Sequence, residues 1–528
     1  MSCPLRCSTL IKPITNFRAL NRLPRYDGIY DFTKIDNVRQ KVNKYLQGNT
    51  NIKSTINGYP CASKSSFDIY SPLFSHKKIG TCFLTDENEL DYLNQSNVNT
   101  KCNLDSDTRI NIMAKISNLI EKKYYDDIIA SIIVNQGKNL FEAELDLLEL
   151  IDFVNFNIEY FYNLQNKQPL STENTRNISR YLPLNGFVSS ITPFNFNAIA
   201  GNLALTPILM NNMVSWKPSM NSLLSNHLLY KIFLEAGVPA YMLDFTIIEP
   251  EKYSDKVLNS KNLAGLAFTG STKVFSEIYK KVGNNIDYYK NYPRLVGETG
   301  GKNYHFVFRS NKMDYNFDDV VQKTFESAFN YSGQKCSACS RLYLPIELVD
   351  DFISIITPKI NSINKEQYGL ISKESYQKTV ETLDNLKSDN EIEILYGGNH
   401  DDIESYYIEP TVLMCENPNH YVFSKEFFAP ILAIYPYKGK FDAIEQCKKQ
   451  NYYALTGSIF IDDYSDHKLL EMIYTFQNTC GNMYINNKST GAVVGQQPFG
   501  GFNKSGTNDK AGDMNLLLRF TNQVNIKM

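Results

Sequence analysis

The feature that most constrains this chain is a run of short apolar strands alternating with amphipathic helices, beginning at Gly186. Residues 186–191 (Gly-Phe-Val-Ser-Ser-Ile) read as a strand ending in Thr192-Pro193. Residues 212–217 read as a second strand, closed by Pro218. Residues 222–236 read as a helix with Leu224, Leu228, Leu229, Ile232 and Phe233 on one side. Gly237 and Pro239 stop that helix in the order a left-handed cap and a chain reversal require. Residues 241–248 and 263–268 read as further strands, the second followed by the turn Thr269-Gly270-Ser271 and a helix from Thr272. Such alternation leaves few topologies: a parallel sheet with right-handed crossovers. Ligands of such sheets bind beyond the carboxyl ends of the strands, where Lys217 and Gly270-Ser271 fall. There is no G-x-G-x-x-G, so periodicity alone does not prove a nucleotide site.

Upstream, the apolar spacing predicts two helices over 107–163, separated by Gln136-Gly137-Lys138. Downstream, residues 361–399 are polar, helical and lysine-rich, and read as a surface excursion. A chain of 528 residues with 43% hydrophobic and 21% charged residues is globular and long enough for more than one lobe. Lys and Arg number 54 against 56 Asp and Glu, a balance that argues against gripping nucleic acid or an anionic membrane. No apolar run reaches the roughly 18 residues of a membrane span.

The ten cysteines are scattered, which excludes a disulfide framework and points to a reducing compartment. Only Cys336 and Cys339 have C-x-x-C spacing, and no second pair completes a zinc site, so no metal is expected. The first 26 residues carry Arg6, Lys12, Arg18, Arg22 and Arg25, with no acid before Asp27. That character resembles a mitochondrial presequence. The competing reading is a ragged basic terminus, since Pro4, Pro13 and Pro24 interrupt a helix. The single tryptophan, Trp216, immediately precedes Lys217 and is expected beside the ligand end of its strand.

Four short stretches can carry chemistry. Gly297-Glu298-Thr299-Gly300-Gly301-Lys302-Asn303 sets an acid among glycines, and such an acid can be a general base if burial raises its pKa. Gly333-Gln334-Lys335-Cys336-Ser337-Ala338-Cys339 precedes a strand. By spacing alone, its cysteines read equally as nucleophile, redox pair or buried structural residues. Thr192-Pro193-Phe194-Asn195-Phe196-Asn197 offers an amide at a strand end, either an oxyanion donor or a turn residue satisfying its own backbone. Ser424-Lys425-Glu426-Phe427-Phe428-Ala429-Pro430 adds an acid beside aromatics.

In order and spacing these stretches resemble the aldehyde dehydrogenase superfamily, from about Tyr59 to the C-terminus. The segments 332–343 (Ser-Gly-Gln-Lys-Cys-Ser-Ala-Cys-Ser-Arg-Leu-Tyr), 481–491, 494–501 and 505–510 are most similar to its glutamate γ-semialdehyde (delta-1-pyrroline-5-carboxylate) dehydrogenase branch. The resemblance implies Cys336 as nucleophile, Glu298 as general base and Asn195 with the Cys336 N–H as oxyanion hole. It implies NAD as cofactor, with Lys217 at a ribose, Ser271 near the phosphates, Glu426 and Phe428 at the nicotinamide riboside, and Ser219 and Gly270 also in the cofactor site. It implies Ser337, Gly491 and Ala492 gripping the amino-acid end of the semialdehyde, and Phe196 and Phe499 around its stem.

The implied fold is α/β. Residues 27–297 form a doubly wound cofactor domain, 298–492 an α/β catalytic domain, and 493–528 return to the cofactor domain. A small β oligomerisation flap joins residues 164–186 to the C-terminal strand. The implied protein is a homodimer or higher homo-oligomer without nucleic acid or an integral membrane segment. Its expected place is the mitochondrial matrix, with the cytoplasm as the alternative. Departures from the family pattern are Met220 where relatives carry a ribose-binding acid, Ala429 beside Phe428, Ala492 where some members have Ser, and Glu249-Pro250-Glu251 in place of glycines. Two other functions compete: a dehydrogenase of another semialdehyde, and a silent binding protein on the same scaffold.

Overall fold

The computed structural model describes residues 32–528 apart from 62–64, 75–76, 96–102, 309–315, 402–405 and 463–464. The basic stretch 1–26 lies outside the described residues. Two seven-stranded sheets organise the chain.

In the first sheet the order is Arg294–Glu298, Leu263–Thr269, Phe187–Ile191, Met213–Lys217, Leu243–Phe245, Thr55–Ile56, Tyr59–Pro60. Its first five strands run parallel. From Phe187–Ile191 the chain winds outward through Met213–Lys217 and Leu243–Phe245. It then crosses back to Leu263–Thr269 on the other side, which makes the switch point where doubly wound sheets bind ligands. The register aligns the strand ends: Ile191 opposite Lys217, Phe268 opposite Ile191, and Thr269 opposite Glu298. All seven residues of Leu263–Thr269 are buried, as a strand covered on both faces must be.

The second sheet has the order Glu393–Tyr396, Thr411–Met414, Ile431–Tyr437, Cys339–Pro345, Asn303–Val307, Thr456–Phe460, Asn482–Ile485. Its edge strand Glu393–Tyr396 is antiparallel and the others are parallel. The loops bearing Cys336 and Gly300-Gly301 therefore enter this sheet at the amino ends of their strands. Apart from both sheets, Asn177–Leu182 pairs antiparallel with the C-terminal strand Asn522–Lys527.

Three sequence expectations need correction. The segment 107–163 holds three helices, Ser106–Lys122, Tyr125–Gln136 and Leu140–Asn166, because the chain also breaks at Lys123-Tyr124. The strand expected over 241–248 shortens to Leu243–Phe245. The lysine-rich stretch 361–399 is more than a surface excursion. Its helix Lys373–Lys387 buries Tyr376, Leu383 and Leu386 against the second sheet, and Glu393–Tyr396 forms that sheet's edge.

Candidate active site

The carboxyl edge of the first sheet faces a cavity of about 1020 Å³ whose walls also include Cys336 and Glu426 from the second. Ile191, Lys217 and Thr269 reach it from three adjacent strand ends, and Asn195, Ser219, Gly270, Ser271 and Phe428 line it as well. Every cofactor residue expected from sequence therefore lines this one cavity. Cys336 and Asn195 share it, whereas Glu298 does not line it, although its neighbours Thr299 and Gly300 do.

The Cys336 loop is braced from three sides. Tyr331 and Ser332 both adopt left-handed backbone, with φ of 54° each, and turn the chain sharply out of the preceding helix. The Asn303 side chain donates to the carbonyls of Cys336 (2.7 Å) and Ala338 (2.8 Å). The Asn195 amide donates to the Gln334 carbonyl at 3.1 Å. That bond engages one N–H of the amide, whose NH₂ carries two donors. Asn303 stands in a quoted motif, but its bracing role came only with the structure, since it acts across two strands.

Burial and the carboxylates of Glu298 and Glu426 push the Cys336 thiol up to about 12, while the N–H groups of Ser337 and of Cys336 itself work the other way. Cys339 points elsewhere: it is buried in the core of the second sheet and its Sγ donates to the Arg341 carbonyl at 3.4 Å. Both sulfurs are free thiols.

Glu298 closes the strand Arg294–Glu298, and its Oε2 is sealed from solvent without a hydrogen-bond partner. Burial holds its carboxyl well above the ordinary value. The nearby Lys510 ammonium and the Gly501 N–H oppose this, and Asp509 reinforces it. A Cβ on Gly500 would lie 2.6 Å from Glu298 Oε1, so only glycine admits the carboxylate there. Phe499, expected at the substrate stem, is the residue before Gly500.

The cofactor side is a set of donors and cradles. Lys217 is 5% exposed, its ammonium has no ion-pair or hydrogen-bond partner among the described residues, and burial lowers its pKa to about 8. Ser271 caps the helix Thr272–Asn284 by accepting from the Val274 N–H at 3.3 Å, placing a helix N-terminus on the cavity. Glu426 accepts from the Gly301 N–H at 2.8 Å, and burial raises its carboxyl to about 7. A Cβ on Gly300 would stand 2.1 Å from Glu426 Oε2. Phe194 and Phe428 meet edge to face at 6.0 Å in the same wall. An unpaired buried cation, a helix N-terminus and an acid beside aromatics fit a sugar–phosphate–heterocycle ligand, and the volume suits a dinucleotide.

The departures resolve unevenly. Met220 does line the cavity. At the Phe428-Ala429 step the left-handed residue is Phe428 (φ 55°), so Ala429 loses nothing for want of being glycine. Pro250 and Glu251 open a helix, Pro250–Val257, and both reach the cavity. Trp216 is fully buried away from it, stacked on Phe233 and donating to Thr192 Oγ1 at 2.9 Å. Sequence reasoning missed Ser375, Lys378 and Thr379, which line the cavity from the helix Lys373–Lys387.

The expected substrate residues are not in this cavity's walls. Ser337 is tied to the 488–492 turn, its carbonyl accepting from Ser489 Oγ at 3.3 Å, and the Gly491 N–H closes that turn onto the Lys488 carbonyl at 3.2 Å. Ala492 follows Gly491 directly. Phe196 sits under the Lys138 ammonium, 4.0 Å from its ring centroid. Outside the cavity's lining, Asp389, Glu391 and His420 converge. There His420 Nδ1 accepts from the Val422 N–H, so Nε2 carries the proton shared with Asp389 at 3.0 Å and offers no lone pair to a cation.

Residues 60–526 match the Aldehyde dehydrogenase family. The chain belongs to the aldehyde dehydrogenases. Among similar members, a probable delta-1-pyrroline-5-carboxylate dehydrogenase of Schizosaccharomyces pombe is 42% identical over 79% of this chain and 78% of its own length. The mitochondrial delta-1-pyrroline-5-carboxylate dehydrogenase of Homo sapiens is 39% identical over 79% and 76%. In structure, the Mycobacterium tuberculosis delta-pyrroline-5-carboxylate dehydrogenase bound with NAD superposes with a TM-score of 0.88 at 31% identity, covering 96% of this chain and 95% of that one. Within this aldehyde dehydrogenase no helix among the described residues is long and apolar enough to cross a membrane.

Proposed function

We propose that this aldehyde dehydrogenase oxidises L-glutamate γ-semialdehyde, the open form of delta-1-pyrroline-5-carboxylate, to L-glutamate with NAD, in proline breakdown. The observation that carries the reading is the convergence of Cys336 and Asn195 on a cavity walled by Lys217, Ser271 and Glu426, in a chain whose relatives bear that activity in their names. Cys336 and Cys339 are both free, and Cys339 Sγ is engaged with the Arg341 carbonyl, which supports a nucleophile over the redox alternative.

Each residue has a chemical task. Cys336 gives its proton to water, and its thiolate attacks the aldehyde carbon as the carbonyl π bond opens onto oxygen, giving a thiohemiacetal anion. The free N–H of Asn195 and the Cys336 N–H hold the oxygen as charge develops on it. Bound NAD would be held by Lys217, Ser219, Gly270, Ser271, Glu426 and Phe428, and it supplies the hydride acceptor that takes the sulfur adduct to a thioester. Glu298, ionised, draws a proton from water; the hydroxyl attacks the thioester carbon, the C–S bond breaks with Cys336 leaving as thiolate, and the acid is freed. Ser337, Gly491 and Ala492 grip the α-carboxylate and amine, with Phe196 and Phe499 along the stem.

Residues 27–297 serve as cofactor domain, 298–492 as catalytic domain and 493–528 as the return strand. The ribbon of Asn177–Leu182 and Asn522–Lys527 leaves Leu182 and Val524 exposed, which supports a homodimer built by that flap. Relatives named as mitochondrial in several eukaryotes support a matrix location, with residues 1–26 as a presequence.

The test is NADH formation from glutamate γ-semialdehyde against succinate semialdehyde. A site that grips an amino-acid end disfavours the aldehyde lacking the amine by about 10⁴-fold. Equal efficiency overturns the substrate assignment. Absence of NADH formation with every aldehyde favours the silent scaffold.

A further inference from the structure

Lys138 and Asp146 belong to no wall of the cavity and to none of the roles above. Yet they form a fully buried ion pair, 2.9 Å from Nζ to Oδ2, with side chains 1% and 0% exposed. Burying two charges is a poor route to stability unless the geometry uses them fully, and here it does. Asp146 Oδ2 accepts from the Asn197 N–H at 2.9 Å and Oδ1 from the Ala198 N–H at 2.8 Å. These are the first two amides of the helix Asn197–Leu209, whose own N-cap residue, Phe196, supplies no side-chain cap. Asn195 stands one residue before that N-cap.

Lys138 spans the gap between two arms of the site. Its ammonium faces the Phe196 ring at 4.0 Å and the Tyr331 ring at 5.2 Å. Phe196 adjoins Asn195, and Tyr331 begins the left-handed turn into the Cys336 loop. The turn that carries Lys138 grips the same arms: the Tyr331 hydroxyl donates to the Gln136 carbonyl at 2.6 Å, and the Gln136 amide donates to Asn197 Oδ1.

We propose that Lys138 and Asp146 are positioning residues for the oxyanion donor. Asp146 clamps the helix that begins just after Asn195, and Lys138 holds the Asn195–Phe196 arm against the Tyr331–Cys336 arm. The pair acts through Asn195 and touches neither substrate nor cofactor. This rests on the reading of Asn195 as oxyanion donor.

The test is a double-mutant cycle, since a residue acting through Asn195 loses its effect once that amide is gone. Asp146→Asn keeps one acceptor oxygen and removes the charge. Expected is a fall in kcat of at least tenfold that exceeds any change in KM, with the NAD dissociation constant within twofold of the parent by calorimetry. In an Asn195→Ala background the same substitution lowers kcat by less than twofold. A parental kcat for Asp146→Asn overturns the proposal, and so do losses that multiply in the double variant. Lys138→Met is read in the same cycle, and carries the test if Asp146→Asn does not fold. The cycle uses whichever aldehyde the parent turns over best. A wrong substrate assignment then shows as a poor parental rate with glutamate γ-semialdehyde, separately from the outcome of the cycle.

Discussion

Asn195 donates its side-chain amide to the carbonyl of Gln334, two residues before Cys336, at 3.1 Å. The arm bearing Asn195, the proposed oxyanion donor, and the loop bearing Cys336, the proposed nucleophile, are thus joined directly, although 139 residues separate the bonded pair. Asn195→Ala removes that tie and the donor together. The expected loss is about 10²–10³ in kcat, the usual effect of deleting one oxyanion donor, with NAD affinity unchanged by calorimetry.

Cys336 is held as a thiol, pushed up to about 12 by burial and by the carboxylates of Glu298 and Glu426. In cofactor-free protein its alkylation by iodoacetamide, followed by peptide mass mapping, should be slow at pH 7. It should rise about tenfold per pH unit to pH 9, in step with the thiolate fraction. Cys336→Ala should abolish NADH formation and retain NAD binding; retained activity would remove it as nucleophile.

As the proposed base, Glu298 acts only when ionised, and its carboxyl is raised well above the usual range by burial. The hydrolytic step should therefore accelerate with pH until that raised value is passed. The stability sign is opposite. Folded protein holds the proton more tightly than unfolded protein, so a cost of folding begins above the ordinary carboxyl value and grows with pH up to the raised one. Glu298→Gln removes that cost. Its Tm advantage over the parent should widen from pH 5 to pH 8, while turnover stalls after a single burst of NADH.

Lys217 faces the cavity as a buried cation without a partner among the described residues, its pKa lowered to about 8. Lys217→Met should weaken NAD by about tenfold or more, the worth of one hydrogen bond from a charged group. Parental affinity should decline above pH 8 as the charge is lost, and the variant's should stay flat; calorimetry across pH 7 to 9 distinguishes them.

Gly300 leaves just enough room for Glu426: an added Cβ would lie 2.1 Å from Oε2. Gly300→Ala should displace that carboxylate from the Gly301 N–H and raise the NAD dissociation constant several-fold. An unchanged constant would place Glu426 outside the cofactor site.

Much of this was legible in one dimension. The alternation from Gly186 onward predicted a parallel sheet because period-2 and period-3.6 apolar patterns and Gly/Pro stops are local properties of the chain. The same local signals placed Lys217 and Gly270-Ser271 at strand ends, and the motifs around Cys336, Glu298 and Asn195 stood out by residue type. They misled where a neighbour decides the outcome. Tyr241–Ile248 kept only three strand residues, and the helix Lys373–Lys387, polar on one side, packed its other side on the second sheet and brought Lys378 to the cavity.

What only the tertiary structure decided is who holds whom. Asn303 closes one of the sequence motifs without a role there, yet it grips the Cys336 carbonyl in the loop leading into the neighbouring strand. Trp216 and Lys217 are consecutive, and a strand sends consecutive side chains to opposite faces. One is sealed in the core while the other lines the cavity. Sequence determined the strands, the turns and the reactive residue types, since those depend on near neighbours. The pKa values, the unpaired ammonium of Lys217 and the buried Lys138–Asp146 clamp depend on burial and on partners brought from distant parts of the chain, and these arise only when both sheets have packed.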